Sequence, residues 1–413
     1  CFPRYFCFHT RYIVALDARL NLRTHKAMVR RISAAIGMIA VIGGLNAGAI
    51  AKTPREAAVK DKKAEIDGMV QAEMAARGIP GLQLAIVQNG RIVFTGAYGK
   101  ANLEASTPVT NQTVFAINSI SKAFAGVAAM QLVQAGKLDL DATLPTYLKG
   151  LPESWHAITV RQLFTHMSGL PEIADDNVRL IDGAEPAAAW AKVQTLPLKN
   201  TPGARFDYTQ TNYVALGKII ETITGKSYSD FVRDGQFKAV GMKRAGFIDP
   251  ANPAPNAAPL YTHLTLKIDG MKTVGVERST TPFVRQEPWQ ELVRPAGGIQ
   301  VSATDLASWT IALQKLKLVD KNSLAELWKP QPQQDGTYRA FNSLVNGYGL
   351  GWPSARRAAH PAVAPVGGAR AAVFIYPNDN LTVVVLTNLM GASPEKFVDK
   401  IASAYIPDLA AAK

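Results

Sequence analysis

A chain of 413 residues with 47% hydrophobic and 19% charged residues carries enough apolar material for a buried core, in one large domain or two closely joined ones. These proportions exclude a disordered, collagenous or coiled-coil protein, and a single apolar, uncharged stretch near the N-terminus excludes a polytopic membrane protein. The formal charge is +13, but nearly half of the excess sits in residues 1–51 and the rest is spread without a basic block, so no nucleic-acid partner is expected.

Met28-Val29-Arg30-Arg31 opens a charged segment, residues 32–45 are apolar, and Ala49-Ile50-Ala51 supplies an A-x-A site. This is the layout of a secretory signal peptide cleaved after Ala51. Residues 1–51 are therefore expected to be a leader, with 1–27 upstream of the signal. The mature chain is expected to start at Lys52 and to be exported to the periplasm or medium of a bacterium. An uncleaved N-terminal anchor is the alternative, and beyond that segment no membrane association is expected. Both cysteines, Cys1 and Cys7, fall in the leader, which leaves the mature chain no thiol for disulfides, catalysis or metal binding.

Within 54–77, Ile66, Met69, Val70 and Met74 recur at helical spacing and Gly78 follows, predicting a helix with a glycine stop. Asn89-Gly90 between two alternating apolar runs, 81–88 and 91–98, predicts a β-hairpin. Residues 121–136 are apolar nearly all round, as in a buried central helix. From about 140 to 290 helical stretches (160–166, 185–195, 211–224, 227–239) alternate with Pro- and Gly-rich loops, and Asp269-Gly270 marks a second hairpin in 249–290. From 297 strands are expected to return, notably 371–376 and 381–387, before a last helix over about 394–405. Strands at both ends and helices between predict an α+β domain over 52–413. Its α/β part is 52–140 and 290–413, its mainly helical part 141–289, and a site belongs in the crevice between them.

The mature chain holds four histidines, His156, His166, His263 and His360, with no metal-ligand spacing among them. It has no dinucleotide or phosphate loop and no G-x-S-x-G elbow, so neither a metal nor a cofactor is expected. What remains is Ser119-Ile120-Ser121-Lys122. A serine and a lysine three apart at a helix start share a face. A serine hydroxyl needs an adjacent base, and burial makes lysine easier to deprotonate, so activity should rise toward alkaline pH. Ser119 as a plain helix N-cap is the other reading, but it leaves a lysine in an apolar helix unexplained. A second copy, Ser393-Pro394-Glu395-Lys396, reads as an N-cap serine on a solvated first turn.

The segment 115–122 around Ser119 and Lys122, the stretch 163–170 (LFTHMSGL), Pro202-Gly203 leading to Tyr208, Pro295-Ala296-Gly297-Gly298, Tyr348-Gly349-Leu350-Gly351-Trp352 and Gly367-Gly368 occur in that order. On these motifs the chain, over about 60–405, resembles the serine β-lactamase/penicillin-binding superfamily. It is most similar to the branch of class C β-lactamases, D-peptidases and related esterases. The resemblance implies an antiparallel sheet flanked by helices with an inserted helical subdomain. It implies Ser119 as the nucleophile of an acyl-enzyme, with Lys122 and Tyr208 sharing the proton work. The backbone N–H groups of Ser119 and Gly368 would form the oxyanion hole, with Gln210 and Gly367 beside the substrate.

Two positions depart from the family pattern. Gln210 stands where the Y-x-N motif has Asn. Pro365-Val366-Gly367 stands where a Lys or His precedes x-Gly, so a cation and an N–H are lost. His360 reaches that place only by a different loop path, Arg370 is a nearer cation, and His166 reads as a structural hydrogen-bonder. The loops at 171–185 and 249–290 are expected to shape the pocket. The expected activity is that of an exported serine hydrolase on an ester, amide or D-amino-acid peptide, poor on β-lactams. The alternative is a weak or inactive penicillin-binding-like domain that binds cell-wall peptides. The partner is thus a small-molecule or peptide substrate, and oligomeric state is not legible.

Overall fold

The computed structural model describes residues 54–411; the expected leader, with Cys1 and Cys7, and the expected cleavage site lie outside the described residues. Asn89 and Gly90 both adopt positive φ (51° and 68°), as the two central residues of a type I′ turn must, and the turn joins strand Gly81–Gln88 to strand Arg91–Asn102. Side chains alternate along the first strand: Ala85 and Val87 enter one core, Leu82, Leu84 and Ile86 the other. Leu381–Thr387 and Ala371–Tyr376 continue the antiparallel sheet and divide their side chains the same way. Both faces are covered, which is why these strands read as unbroken apolar runs. The sheet continues through Ala362–Val363, Pro353–Ala355 and Gly347–Tyr348, while Val366–Gly367 pairs separately with Ala371–Tyr376.

One face is covered by helix Pro54–Arg77, through Ile66 and Val70, and by helix Val398–Ala402. The other face takes helix Ala303–Gln314 and, beyond it, the central helix Ser121–Gln134. This is the α+β architecture the sequence predicts.

Several elements differ from expectation. The region after 297 holds two helices, Ala303–Gln314 and Lys321–Trp328, where only strands were expected. Ser302 and Asp320 cap them by accepting from the N–H groups of Asp305 and Ser323. The segment 141–289, by contrast, carries its expected helices and, at its end, the hairpin expected at Asp269-Gly270, Tyr261–Asp269 with Lys272–Val284. The last helix is broken at Phe397 into a single turn, Pro394–Lys396, and Val398–Ala402. Ser393 is no solvated N-cap. It is buried at φ 50° with no capping bond, because its N–H is tied to the Ala369 carbonyl at 2.8 Å, and burial pushes the neighbouring Glu395 carboxyl up.

A small sheet of Phe115–Ala116, Ile299–Val301 and Gly246–Phe247 joins the segment ahead of Ser119 to both halves of the chain. The Ile117 N–H donates to the Ile299 carbonyl at 2.9 Å, and the Ile299 N–H to Ser121 Oγ at 3.2 Å. The nucleophile turn therefore hangs from a fixed strand.

Candidate active site

Ser119 lies in a single helical turn, Asn118–Ile120, that runs directly into helix Ser121–Gln134. One turn on, Lys122 is fully buried. Its polar head must therefore be held by hydrogen bonds. Nζ lies 2.6 Å from the Ala296 carbonyl, 2.8 Å from Gln210 Oε1 and 3.3 Å from Ser119 Oγ. The two carbonyl oxygens engage two N–H groups and leave a third position facing the serine. The Tyr208 hydroxyl donates to the same Ser119 Oγ at 2.6 Å, and Lys122 Nζ stands 4.8 Å from the Tyr208 ring centre. Ser119, Lys122, Tyr208 and Gln210 thus meet in one hydrogen-bonded cluster.

The other motifs hold these groups in place. The Gly203 N–H donates to the Met167 carbonyl at 2.7 Å and the Asp207 N–H to the His166 carbonyl at 2.8 Å, lacing 202–208 onto 163–170. His166 Nδ1 accepts from the Thr209 N–H at 3.3 Å and from the Asn212 amide at 3.0 Å, an arrangement that puts the ring proton on Nε2. Burial, reinforced by Lys122 and Lys199, pushes the His166 pKa well down, so the ring is neutral. It packs on Tyr208 at 4.2 Å between ring centres, while Phe341 meets Tyr208 edge-on at 5.3 Å. His166 is a structural hydrogen-bonder, as its context predicted. The Pro295–Gly298 motif supplies the Ala296 carbonyl that holds Lys122.

Opposite the serine runs Val366–Gly367. A Cβ on Gly367 would stand 1.9 Å from the Ile117 carbonyl oxygen, so only glycine lets this strand approach the nucleophile turn. Gly368, at φ 55°, lines the cleft together with Ser119. Pro365 is buried just ahead of that strand, two residues before Gly367, and its carbonyl accepts from the Val373 N–H at 2.9 Å.

The cleft at Ser119 has a cavity volume of about 40 Å³. The 171–185 loop contributes Ala174, Asp175, Asp176 and Val178, and the 249–290 segment contributes Arg285, Glu287 and Trp289, the two regions expected to shape it. Arg285 and Glu287 were not singled out from the sequence, since nothing local marks them.

Arg370 is no substrate-facing cation. It is 1% exposed and engaged with Glu287 at 2.7 Å and with the Asn118 amide. Burial alone would push the Glu287 carboxyl up, but Arg370 and then Arg285 outweigh it and hold the group at about 2. His360 pairs with Asp379 at 2.8 Å and Asp408 at 3.1 Å and takes no part in the cleft. Among the described residues no group of three or more His, Cys, Asp or Glu side chains is placed to hold a metal ion.

The Beta-lactamase family model matches residues 66–406. The chain belongs to the Beta-lactamase family. Among similar proteins, Protein flp of Staphylococcus aureus (strain MW2) is 25% identical over 361 residues, 83% of this chain and 66% of that protein. PbpX of Bacillus subtilis (strain 168) is 30% identical over 245 residues, 59% of this chain and 58% of PbpX. The chain thus spans less than two thirds of the length of these relatives. Among solved structures, the octameric penicillin-binding protein homologue from Pyrococcus abyssi superposes with a TM-score of 0.65 at 24% identity, covering 85% of this chain and 77% of that one. D-amino acid amidase from Ochrobactrum anthropi SV3, complexed with D-phenylalanine, gives 0.68 at 21% identity, covering 86% and 100%. The fold of this Beta-lactamase family member is that of the β-lactamase-related serine hydrolases, and the motifs shared with the family converge on the Ser119 cleft.

Proposed function

We propose that the chain is an exported serine hydrolase that forms an acyl-enzyme at Ser119 and acts on small neutral esters or on amides of amino acids. The observation that carries this reading is the pair of contacts on one oxygen: Tyr208 at 2.6 Å and Lys122 at 3.3 Å from Ser119 Oγ. With Lys122 neutral, its lone pair occupies the position facing the serine and serves as proton acceptor, directly or through the Tyr208 hydroxyl. As the Oγ–carbonyl bond forms, the substrate oxygen takes the negative charge between the N–H groups of Ser119 and Gly368. Such a donor is typically worth about 10²–10³ in rate. The proton then passes through Tyr208 to the departing alkoxide or amine. Water reverses the sequence, giving its proton to the same pair and releasing the acid.

The substrate class follows from the cleft. Its walls carry Asp175 and Asp176 beside the Glu287 carboxylate, which Arg370 and Arg285 neutralise, and Pro365 puts no cation ahead of the facing strand. Anionic β-lactams are therefore disfavoured relative to neutral esters or substrates with a free amine. Export rests on the signal-like segment from Met28 to Ala51. The second reading, a penicillin-binding-like domain without turnover, is favoured by Pro365.

A fluorophosphonate probe separates the two. Labelling that requires Ser119, with turnover of p-nitrophenyl acetate or D-amino-acid amides, supports the hydrolase. A folded protein that takes no label and binds cell-wall peptides is the binding domain.

A further inference from the structure

Three side chains from distant segments meet beside Ser119. Arg370 donates from Nη2 to Glu287 Oε2 at 2.7 Å and from Nη1 to Oε1 at 3.3 Å, a two-point contact. Arg370 Nη2 also donates to Asn118 Oδ1, and the Asn118 amide returns a hydrogen bond to Glu287 Oε2 at 3.3 Å. Trp289 Nε1 donates to Glu287 Oε2 at 3.1 Å, and Arg285 Nε lies 3.4 Å from Oε1.

The position of this triangle is informative. Asn118 immediately precedes Ser119 and sits at φ 43°, a left-handed conformation uncommon for a residue with a side chain. Arg370 closes the tight hairpin that presents Gly368, and its own N–H donates to the Gly367 carbonyl at 3.0 Å. The triangle therefore ties together the two backbone segments that carry the two oxyanion donors. A buried ion pair is a poor device for stability, because desolvation offsets its attraction and an apolar replacement of similar size often does as well. It is a good device for fixing geometry. Oxyanion donors need placement to within about half an ångström.

We propose that Arg370 and Glu287, acting through the Asn118 side chain, are positioning residues that hold the Ser119 and Gly368 N–H groups at the spacing the oxyanion requires. The proposal rests on the hydrolase reading and adds to it residues that act through the backbone segments they hold.

The test compares kcat and KM for p-nitrophenyl acetate with the affinity for phenylboronic acid, whose tetrahedral serine adduct puts an oxygen into the oxyanion site. Glu287→Gln should lower kcat and boronate affinity together, by about 10- to 100-fold, with KM within about threefold. Asn118→Gly keeps the left-handed backbone and the ion pair but cuts the link to them, and should show the same pattern. Asp399→Asn breaks another partly buried pair, Arg357 with Asp399 at 2.6 Å, on the opposite face of the sheet. It should lower the melting temperature and leave kcat and boronate affinity unchanged.

If folded Glu287→Gln or folded Asn118→Gly keeps wild-type kcat and boronate affinity, the positioning role is overturned and the hydrolase reading stands. If Glu287→Gln does not fold, Asn118→Gly decides alone. If the wild type neither turns over the ester nor takes a fluorophosphonate label, the hydrolase reading fails and this inference falls with it.

Discussion

The Tyr208 hydroxyl lies 2.6 Å from Ser119 Oγ, nearer than the Lys122 nitrogen at 3.3 Å. The tyrosine is thus the immediate hydrogen-bond partner of the nucleophile, and the lysine stands behind both. Tyr208→Phe keeps the ring that packs against His166 and Phe341 and deletes only the hydroxyl. It should lower kcat for p-nitrophenyl acetate by about 10²–10⁴ while the melting curve barely moves. Full activity in Tyr208→Phe would remove the residue from the proton path.

The two S-x-x-K copies differ in surroundings. Ser119 opens onto a cleft beside Gly368, whereas Ser393 is wholly buried against the Ala369 carbonyl. Ser119→Ala should abolish fluorophosphonate labelling, and Ser393→Ala should label like wild type. Gel fluorescence reads both directly. Equal loss in two folded variants would show that the label is not reporting on Ser119.

Acid should destabilise the protein in two stages. The folded-state pKa values of His166 and Glu287 both lie below their ordinary values, so the unfolded chain takes up protons first as pH falls. The His166 contribution is complete above its ordinary 6.5 and is lost as pH drops below it. The Glu287 contribution is complete above 4.5 and is lost as pH falls from there toward about 2. Urea unfolding should give a steeper loss of stability below pH 4.5 for wild type than for Glu287→Gln, which cannot titrate. Parallel curves would mean that Glu287 is not held ionised by Arg370.

Pro365 stands two residues before Gly367, which abuts the nucleophile turn. A histidine or lysine there would add a charge-assisted hydrogen bond for an anionic substrate, worth roughly 1.5–3 kcal/mol. Pro365→His should raise the ratio of kcat/KM for a cephalosporin to that for p-nitrophenyl acetate by about 10-fold or more. An unchanged ratio in a folded variant would place residue 365 away from the substrate.

Local chemistry made much of the molecule readable from its residues. The Asn89-Gly90 turn and the strands around it depend on neighbours in sequence, as does the three-residue spacing that puts Ser119 and Lys122 on one helix face. The helix Ala303–Gln314 has a local signal as well, the Ser302 cap that accepts from the Asp305 N–H. The loss of a cation at Pro365 is likewise visible in the sequence alone. The Glu287–Arg370–Asn118 triangle is of another kind. Its members lie 83, 169 and 252 positions apart, and no periodicity or cap relates them. Arg370 reads only as the nearer cation until Glu287 is seen to engage it, and Ser393 reads as a helix cap until the Ala369 carbonyl is seen to hold it inward. Which residue types can do acyl-transfer chemistry is set by composition and short-range spacing. Which of them face the cleft and which are spent on one another is set by burial and long-range pairing, because only the closed fold brings those charges within reach and removes the water between them.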